Sequence, residues 1–206
     1  MAVTLPPSFF DAMYAAAEDP WSMRSRWYER RKYALTTAVL PRERYPVGLE
    51  VGCSVGELTA ALAPRCDRLT GWDASAAAVT RARVRTAELP GVTVEEHAVP
   101  GTPLPEVDLL VLSEVLYYLS PADLAVFGDQ VRTAVRPGGT LLAVHWRHEV
   151  PEYPQTGDAV HAALRAALDW PRVATHTEPD LLLDCWVNAP AEDVRAASVA
   201  AAEDLW

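Results

Sequence analysis

Glu50, Gly52, Gly56 and Asp73 have the types and spacing of a ligand site. In Leu49-Glu-Val-Gly-Cys-Ser-Val-Gly-Glu-Leu-Thr59 a short apolar run ends in a turn with two glycines, then takes helical spacing at Leu58, Ala61 and Leu62. Such a turn leaves backbone amides bare at the carboxyl end of a strand, where Cys53 and Ser54 would flank a small polar ligand. The glycines give the backbone room to approach it. Glu50 interrupts the apolar run, and a buried carboxylate without partners is costly, so it should meet amide donors or a ligand ammonium. Asp73, followed by Ala74, closes the next apolar run seventeen residues after Gly56. That is where an acid can accept both hydroxyls of a ribose. A dinucleotide would call for Gly-x-Gly-x-x-Gly, and here Ser54 and Glu57 stand at the second and third glycine positions. A pyrophosphate has no cradle, whereas a ligand with a ribose, an adenine and an amino acid tail is well served.

A second set of reactive side chains ends later apolar runs: Ser113-Glu114, followed by Tyr117 and Tyr118, and then His145-Trp146-Arg147. His145 is the first choice for a base, because an ordinary histidine exchanges its proton near neutrality. Glu114 is the second, with the further capacity to hold an ammonium before its proton leaves. Tyr117 and Tyr118 can offer a cation their faces and an acceptor their hydroxyls, or they are simply packed aromatics. Asp158 and His161 are three apart, hence on one face of a helix. They read as polar lining of a substrate pocket, and no metal is expected, since no dense ligand set such as His-Glu-x-x-His is present.

The elements that must position these residues follow from periodicity. Residues 8–40 are helical in character, with Phe9, Phe10, Met13 and Tyr14 on one stripe, a break at Asp19-Pro20-Trp21, and a second stretch through Trp27, Tyr28 and Lys32 to Leu40. They form a cap or lid. From Pro46 strands and helices alternate: strand 47–51, helix 56–65, strand 68–73, helix 75–88 and strand 92–97. Pro100, Pro103 and Pro105 make the next crossover a loop. Strand 108–113 precedes a helix started by Ser120, Pro121 and Asp123 and ended by Arg136-Pro-Gly-Gly139. Strand 140–146, a helix through Val160, Ala163, Leu164 and Leu168, and strands 172–178 and 181–187 complete the set. The fold class is α/β, with about seven mostly parallel strands and helices on both faces, and ligands belong outside the strands' carboxyl ends.

Length and charge narrow the partners. At 206 residues, half of them apolar, the chain suits one domain: a cap over 1–45, a core over 46–190 and an acidic, alanine-rich extension over 191–206 read as a docked or frayed helix. Three cysteines without a CxxC pair suggest neither a disulfide framework nor a zinc site, and no basic-then-apolar leader begins at Met1, so a cytoplasmic protein is expected. No run approaches a membrane span. A formal charge of -10 argues against nucleic acid and for a cationic or neutral small molecule such as an amine. Arg24, Arg26, Arg30, Arg31 and Lys32 cluster, but interleaved glutamate and aromatic residues make a solvated helix face the expectation. A monomer or a homodimer is expected.

The paired turn and Asp73 resemble the cofactor site of the class I S-adenosylmethionine-dependent methyltransferases, with a Rossmann-like sheet whose last strand is antiparallel. The resemblance implies S-adenosylmethionine as cofactor and S-adenosylhomocysteine as product, held by Glu50, Gly52, Cys53, Ser54, Gly56, Asp73 and Ala74 under Trp21 and Tyr28. It places the adenine edge at the loop after the third strand, where this chain has Glu96-His97-Ala98-Val99 in place of the family's aspartate. His97 or the Ala98 backbone substitutes there, or Glu96 turns inward. Ser113 and Glu114 fall where methyl group and acceptor meet, with Tyr14, Tyr118, Trp146, Arg147, Asp158 and His161 around the acceptor. More closely, the chain resembles the NodS-like methyltransferases, the family of the nodulation N-methyltransferase that methylates a sugar amine of a chitin oligosaccharide. The segments that carry this are Asp19-Pro-Trp21, Tyr28-Glu-Arg-Arg-Lys-Tyr33, Leu49 to Gly56, Leu112-Ser-Glu-Val-Leu-Tyr-Tyr-Leu119, His145-Trp-Arg147 and Gly157-Asp-Ala-Val-His161. N-methylation of an amine is the implied reaction, with O-methylation of a hydroxyl and a non-catalytic cofactor-binding protein as alternatives.

Overall fold

The computed structural model describes residues 2–193, 195 and 198–205. Seven strands make one sheet: β1 Tyr45–Val51, β2 Cys66–Asp73, β3 Val92–Glu96, β4 Val107–Ser113, β5 Val135–Trp146, β6 Arg172–Thr177 and β7 Leu181–Val187. Their order across the sheet is β3-β2-β1-β4-β5-β7-β6. Neighbours from β3 to β5 pair in parallel, while β7 runs antiparallel to both β5 and β6. The chain therefore winds outward from β1 to β3 and returns to the other side of β1 as β4. Crossovers diverge at that switch point, and a crevice opens above the carboxyl ends of β1 and β4.

Central strands are apolar without alternation because both faces are covered. Leu109, Leu110, Val111 and Leu112 of β4 are all fully buried. One face packs Leu110, Leu112, Leu141 and Ala143 under Phe127 and Leu164, which come from α5 (Pro121–Ala134) and α6 (Gly157–Ala167). The other packs Leu109, Val111, Leu142 and Val144 under Leu58 and Leu62 of α3 (Glu57–Leu62). Helix α4 (Ala76–Thr86) covers the β2 and β3 side through Val79 and Ala82. The expected start of α5 is present: Ser120 Oγ accepts from Asp123 N at 3.1 Å, with Pro121 in the first turn.

Three strand starts differ from the sequence expectation by two residues or more. Strands β1 and β2 each start two residues early, and β5 starts at Val135 rather than Thr140. Arg136-Pro-Gly-Gly139 does not merely end a helix; it is a register irregularity in which Val135 pairs with Val107 before regular pairing resumes at Thr140 and Leu109. A bulge tolerates proline and glycine inside a strand.

The cap is α1 (Pro7–Ala16) and α2 (Trp27–Ala38). Helix α1 is tied to α4 by Ser75 Oγ donating to Asp11 at 2.6 Å and by Arg81, whose guanidinium donates to the carbonyls of Tyr14, Ala17 and Glu18 at 2.8, 3.1 and 3.0 Å. Between the helices Asp19 accepts from the amides of Met23 and Arg24, which folds the Asp19-Pro-Trp21 break into a compact turn. Helix α2 is clamped at its far side by a bidentate pair between Arg31 and Glu178. In the extension only Val199–Ala202 (α7) is helical among the described residues, while Val194, Ala196, Ala197 and Trp206 lie outside them. No described helix is long and apolar enough to cross a membrane.

Candidate active site

A cavity of about 620 Å³ lies between the cap and the carboxyl ends of β1, β2 and β4. Its floor is the glycine turn after β1. The amides of Gly52 and Cys53 donate to Trp72 O at 2.7 and 2.8 Å, which ties the turn to the end of β2. Gly52 has φ of +81°, and a Cβ there would come within 3.0 Å of Val115 Cβ, so a side chain is excluded from this part of the wall. Asp73 is held from below: Ser54 N donates to one oxygen and Ser75 N to the other, both at 2.9 Å. Each oxygen keeps a lone pair for the cavity, which is what the two hydroxyls of a ribose require. Burial raises the Asp73 pKa above the usual carboxylate value, against the pull of those amides.

Glu50 also lines the cavity, 1% exposed, with Thr59 Oγ1 donating to it at 2.5 Å. Burial pushes its carboxyl up to about 7, and Asp73 nearby adds to the rise. A ligand ammonium would supply the missing counter-charge. Tyr14 and Trp21 meet edge to face at 5.6 Å and close this end, with the Tyr14 hydroxyl 2.5 Å from Ser54 Oγ. Ala74, His97, Ala98 and Val99 complete it, the His97 ring packing 4.4 Å from Trp72. Glu96 is exposed and is not part of the wall. These residues fit a nucleoside with a cationic amino acid tail.

The other end is built around Glu114. Its backbone is left-handed, φ +55°, which turns the chain sharply after β4 and aims the carboxylate into the cavity. Three donors fix it: Tyr117 Oη at 2.6 Å and Trp146 N at 2.9 Å on Oε2, and Lys32 Nζ at 2.8 Å on Oε1. Lys32 also pairs with Glu29 at 3.0 Å. Aromatic rings enclose the group, Tyr28 edge to face with Trp146 at 5.3 Å and Tyr117 stacked on Tyr153 at 5.1 Å. Tyr118 stands edge to face against Tyr153 at 4.7 Å, and Ser113 and Asp180 share the wall. The Tyr28 hydroxyl is buried and has no hydrogen-bond partner among the described residues.

Five sequence expectations are corrected. His145 does not face the cavity; it is fully buried, accepts from Leu116 N at 3.2 Å through Nε2, and lies 3.1 Å from His161 Nε2 through Nδ1. Successive strand residues point to opposite faces, and on β5 the cavity side belongs to Trp146. Burial, with His161 and Lys32 adding to it, drives the His145 pKa well below the usual histidine value. His161 is equally enclosed and bonds Asp184 at 2.7 Å, while Arg147 and Asp158 pair with each other on the surface at 2.8 Å. None of these three lines the cavity. Gly56 does not line it either; a Cβ there would lie 3.1 Å from Ala82 Cα, so it serves the close packing of α3 on α4.

Sequence reasoning missed Lys32, Glu29, Tyr33, Tyr153 and Asp180, all of which line the cavity. The basic cluster, which runs from the preceding turn into α2, is not uniformly solvated, because Lys32 is 3% exposed. Two signals mark it in retrospect: it is the single lysine of the chain, and Glu29 stands three residues before it. Among the described residues no group of three or more His, Cys, Asp or Glu side chains is placed to hold a metal ion.

The family model for Nodulation protein S (NodS) matches residues 12–152. Nodulation protein S of Bradyrhizobium diazoefficiens is 37% identical over 142 residues, 66% of each chain. That of Rhizobium tropici is 35% identical over 133 residues, 62% of this chain and 55% of its own. The chain thus spans between 55% and 66% of the length of these relatives. Among solved structures, the N-methyltransferase NodS from Bradyrhizobium japonicum WM9 in complex with S-adenosyl-L-homocysteine gives a TM-score of 0.78 at 25% identity, covering 89% of this chain and 99% of that one. A Pseudomonas syringae protein provisionally described as a methyltransferase gives 0.70 at 47% identity, covering 79% of this chain and 99% of that one.

Proposed function

We propose that this chain, which belongs to the NodS family, is an S-adenosylmethionine-dependent methyltransferase acting on the nitrogen of a small-molecule amine. One observation carries the reading. A single cavity joins the nucleoside end, Asp73 with Glu50 and Gly52, to a carboxylate, Glu114, set among aromatic rings at the end of a neighbouring strand.

Asp73 would hold the ribose hydroxyls, Glu50 the ammonium of the amino acid tail, and His97, Ala98 and Val99 the adenine edge. Bound there, S-adenosylmethionine would supply an electrophilic methyl carbon to the amine lone pair, the N–C bond forming as the C–S bond breaks and its electron pair stays on sulfur. The chain's residues supply alignment and proton handling. Tyr28, Tyr117 and Trp146 offer faces to positive charge at the transfer end and exclude water from it. Glu114 accepts a hydrogen bond from the acceptor nitrogen, orients its lone pair, and receives the proton that the ammonium form must lose before passing it to solvent.

An amine is favoured over a hydroxyl by the charge of this end, where Glu29, Glu114 and Asp180 outnumber the lining cations Lys32 and Arg26. A carboxylate is also too weak a base for an aliphatic hydroxyl but adequate for an ammonium whose pKa is near 8. The three cysteines are free, which suits a reducing compartment, and a cytoplasmic setting is part of this reading. The test is methyl transfer from labelled cofactor across a panel of amines, amino sugars among them, and of matched alcohols. N-methylated product with one S-adenosylhomocysteine per turnover is expected. Transfer to alcohols alone would overturn the choice of nitrogen, and tight cofactor binding without product from any acceptor would overturn catalysis.

A further inference from the structure

We infer that Lys32 is a positioning residue of the transfer site: its ammonium, shared between Glu29 and Glu114, keeps the Glu114 carboxylate charged and oriented toward the acceptor nitrogen. The inference rests on the proposed methyl transfer and adds a residue that acts through Glu114.

Burying an ammonium at 3% exposure costs several kcal/mol unless it is well paired. Lys32 is paired twice, at 2.8 Å with Glu114 and 3.0 Å with Glu29, and its Nζ lies 5.3 Å from the Tyr28 ring centre and 5.8 Å from that of Tyr33. A leucine or methionine would fill the same space without that cost, so packing alone does not explain a lysine here. The contact crosses from α2 of the cap to the turn after β4, 82 residues away, and lands on a carboxylate that faces the cavity.

The surroundings explain why a cation is needed. Tyr28 and Tyr33 on α2, Tyr117 beyond β4 and His145 on β5 are all held neutral, chiefly by burial. Glu50 on β1, together with Glu178 and Asp180 between β6 and β7, adds acids. Without Lys32, Glu29 and Glu114 would face each other inside this acidic, enclosed space. Two such carboxylates share a proton. A protonated Glu114 can neither accept from an amine nor take its proton. The lysine itself responds accordingly: burial alone would lower its pKa, but Glu114 and Glu29 more than reverse this and leave it raised.

The test has an activity arm and an arm independent of activity. With an amine that the wild-type enzyme methylates, Lys32→Met is expected to lower kcat about 100-fold near neutrality and to move the acid limb of the pH-rate profile up by about one unit or more. Affinity for S-adenosylhomocysteine should stay within about threefold. Lys32→Arg, which keeps the charge, should leave that limb in place, and adding Glu29→Gln to Lys32→Met should bring it back down. An unmoved limb in Lys32→Met sinks the inference while leaving methyl transfer intact. Because Lys32 is the single lysine, ¹⁵N-lysine labelling gives one side-chain amine signal. Its titration midpoint should fall in Glu114→Gln and in Glu29→Gln, and identical titration in all three proteins overturns the coupling even if no acceptor is found. If the signal behaves as expected and no amine is ever methylated, the proposed function fails instead.

Discussion

Glu50 is 1% exposed, accepts a hydrogen bond from Thr59, and is held at about 7 chiefly by burial, against 4.5 for a free glutamate. The folded protein thus binds this proton more tightly than the unfolded chain. Stability from it is fully present below about pH 4.5 and is lost as pH rises through about 7, by about 3 kcal/mol in all. Glu50→Gln removes the titration, so urea unfolding of the ligand-free variant should fall off less between pH 5 and 8 than that of the wild type. Parallel curves would mean that Glu50 is already ionised in the empty cavity. Glu114 makes a different demand, because three donors fix its carboxylate at the cavity wall. Glu114→Gln should lower kcat by about 10²- to 10³-fold with little change in S-adenosylhomocysteine affinity. An equal loss in both would place Glu114 in cofactor binding only.

At the scale of elements, the last residues of β5 grip the turn that follows β4. Val144 O accepts from Glu114 N, His145 Nε2 accepts from Leu116 N, and Trp146 N donates to the Glu114 carboxylate, at 2.9, 3.2 and 2.9 Å. Since Nε2 is the acceptor, the His145 proton sits on Nδ1 and is donated to His161 Nε2. His161 in turn donates through Nδ1 to Asp184, which also receives Arg165 and Thr175. This chain reaches from α6 and β7 to the turn that carries Glu114 and Tyr117. His145→Asn breaks it, leaves buried polar groups unpaired, and should cost about 1–3 kcal/mol of unfolding free energy. Turnover should fall with it through a misplaced Glu114. The acid limb of the pH-rate profile should nonetheless stay where it is, and its disappearance would restore His145 as the base. The difference between Trp146 and His145 is one step of strand parity. Sequence alone located both at the strand's end, but which face looks into the cavity depends on how the sheet is covered.

For the whole molecule, what could be read in advance was what is local in sequence. Gly52 follows directly on β1 and Asp73 is the last residue of β2, so their place at the switch point is set by the strand-turn-helix pattern alone. Lys32 was hidden because five basic residues in a short helical stretch look like a wet face until Glu114 arrives over it from 82 residues away. Arg147, Asp158 and His161 shared a neighbourhood with the cavity but not a direction. The cap behaves likewise: its helices were evident, but what holds them down was not. Arg81 donates to three carbonyls of α1 and its following turn, and Ser75 to Asp11, so α4 anchors the lid that brings Tyr14 and Trp21 over Ser54. If the cofactor binds only beneath a closed lid, each loss in the closed population appears directly as weaker apparent affinity. Arg81→Met should weaken S-adenosylhomocysteine binding about tenfold, equivalent to about 1.4 kcal/mol. Amide exchange should accelerate over residues 7–24, while the sheet strands keep their protection because none of them loses a contact. Exchange that rises evenly over cap and sheet would mean that Arg81 supports the whole fold; unchanged affinity with a faster-exchanging cap would mean that the lid need not close for the cofactor to stay.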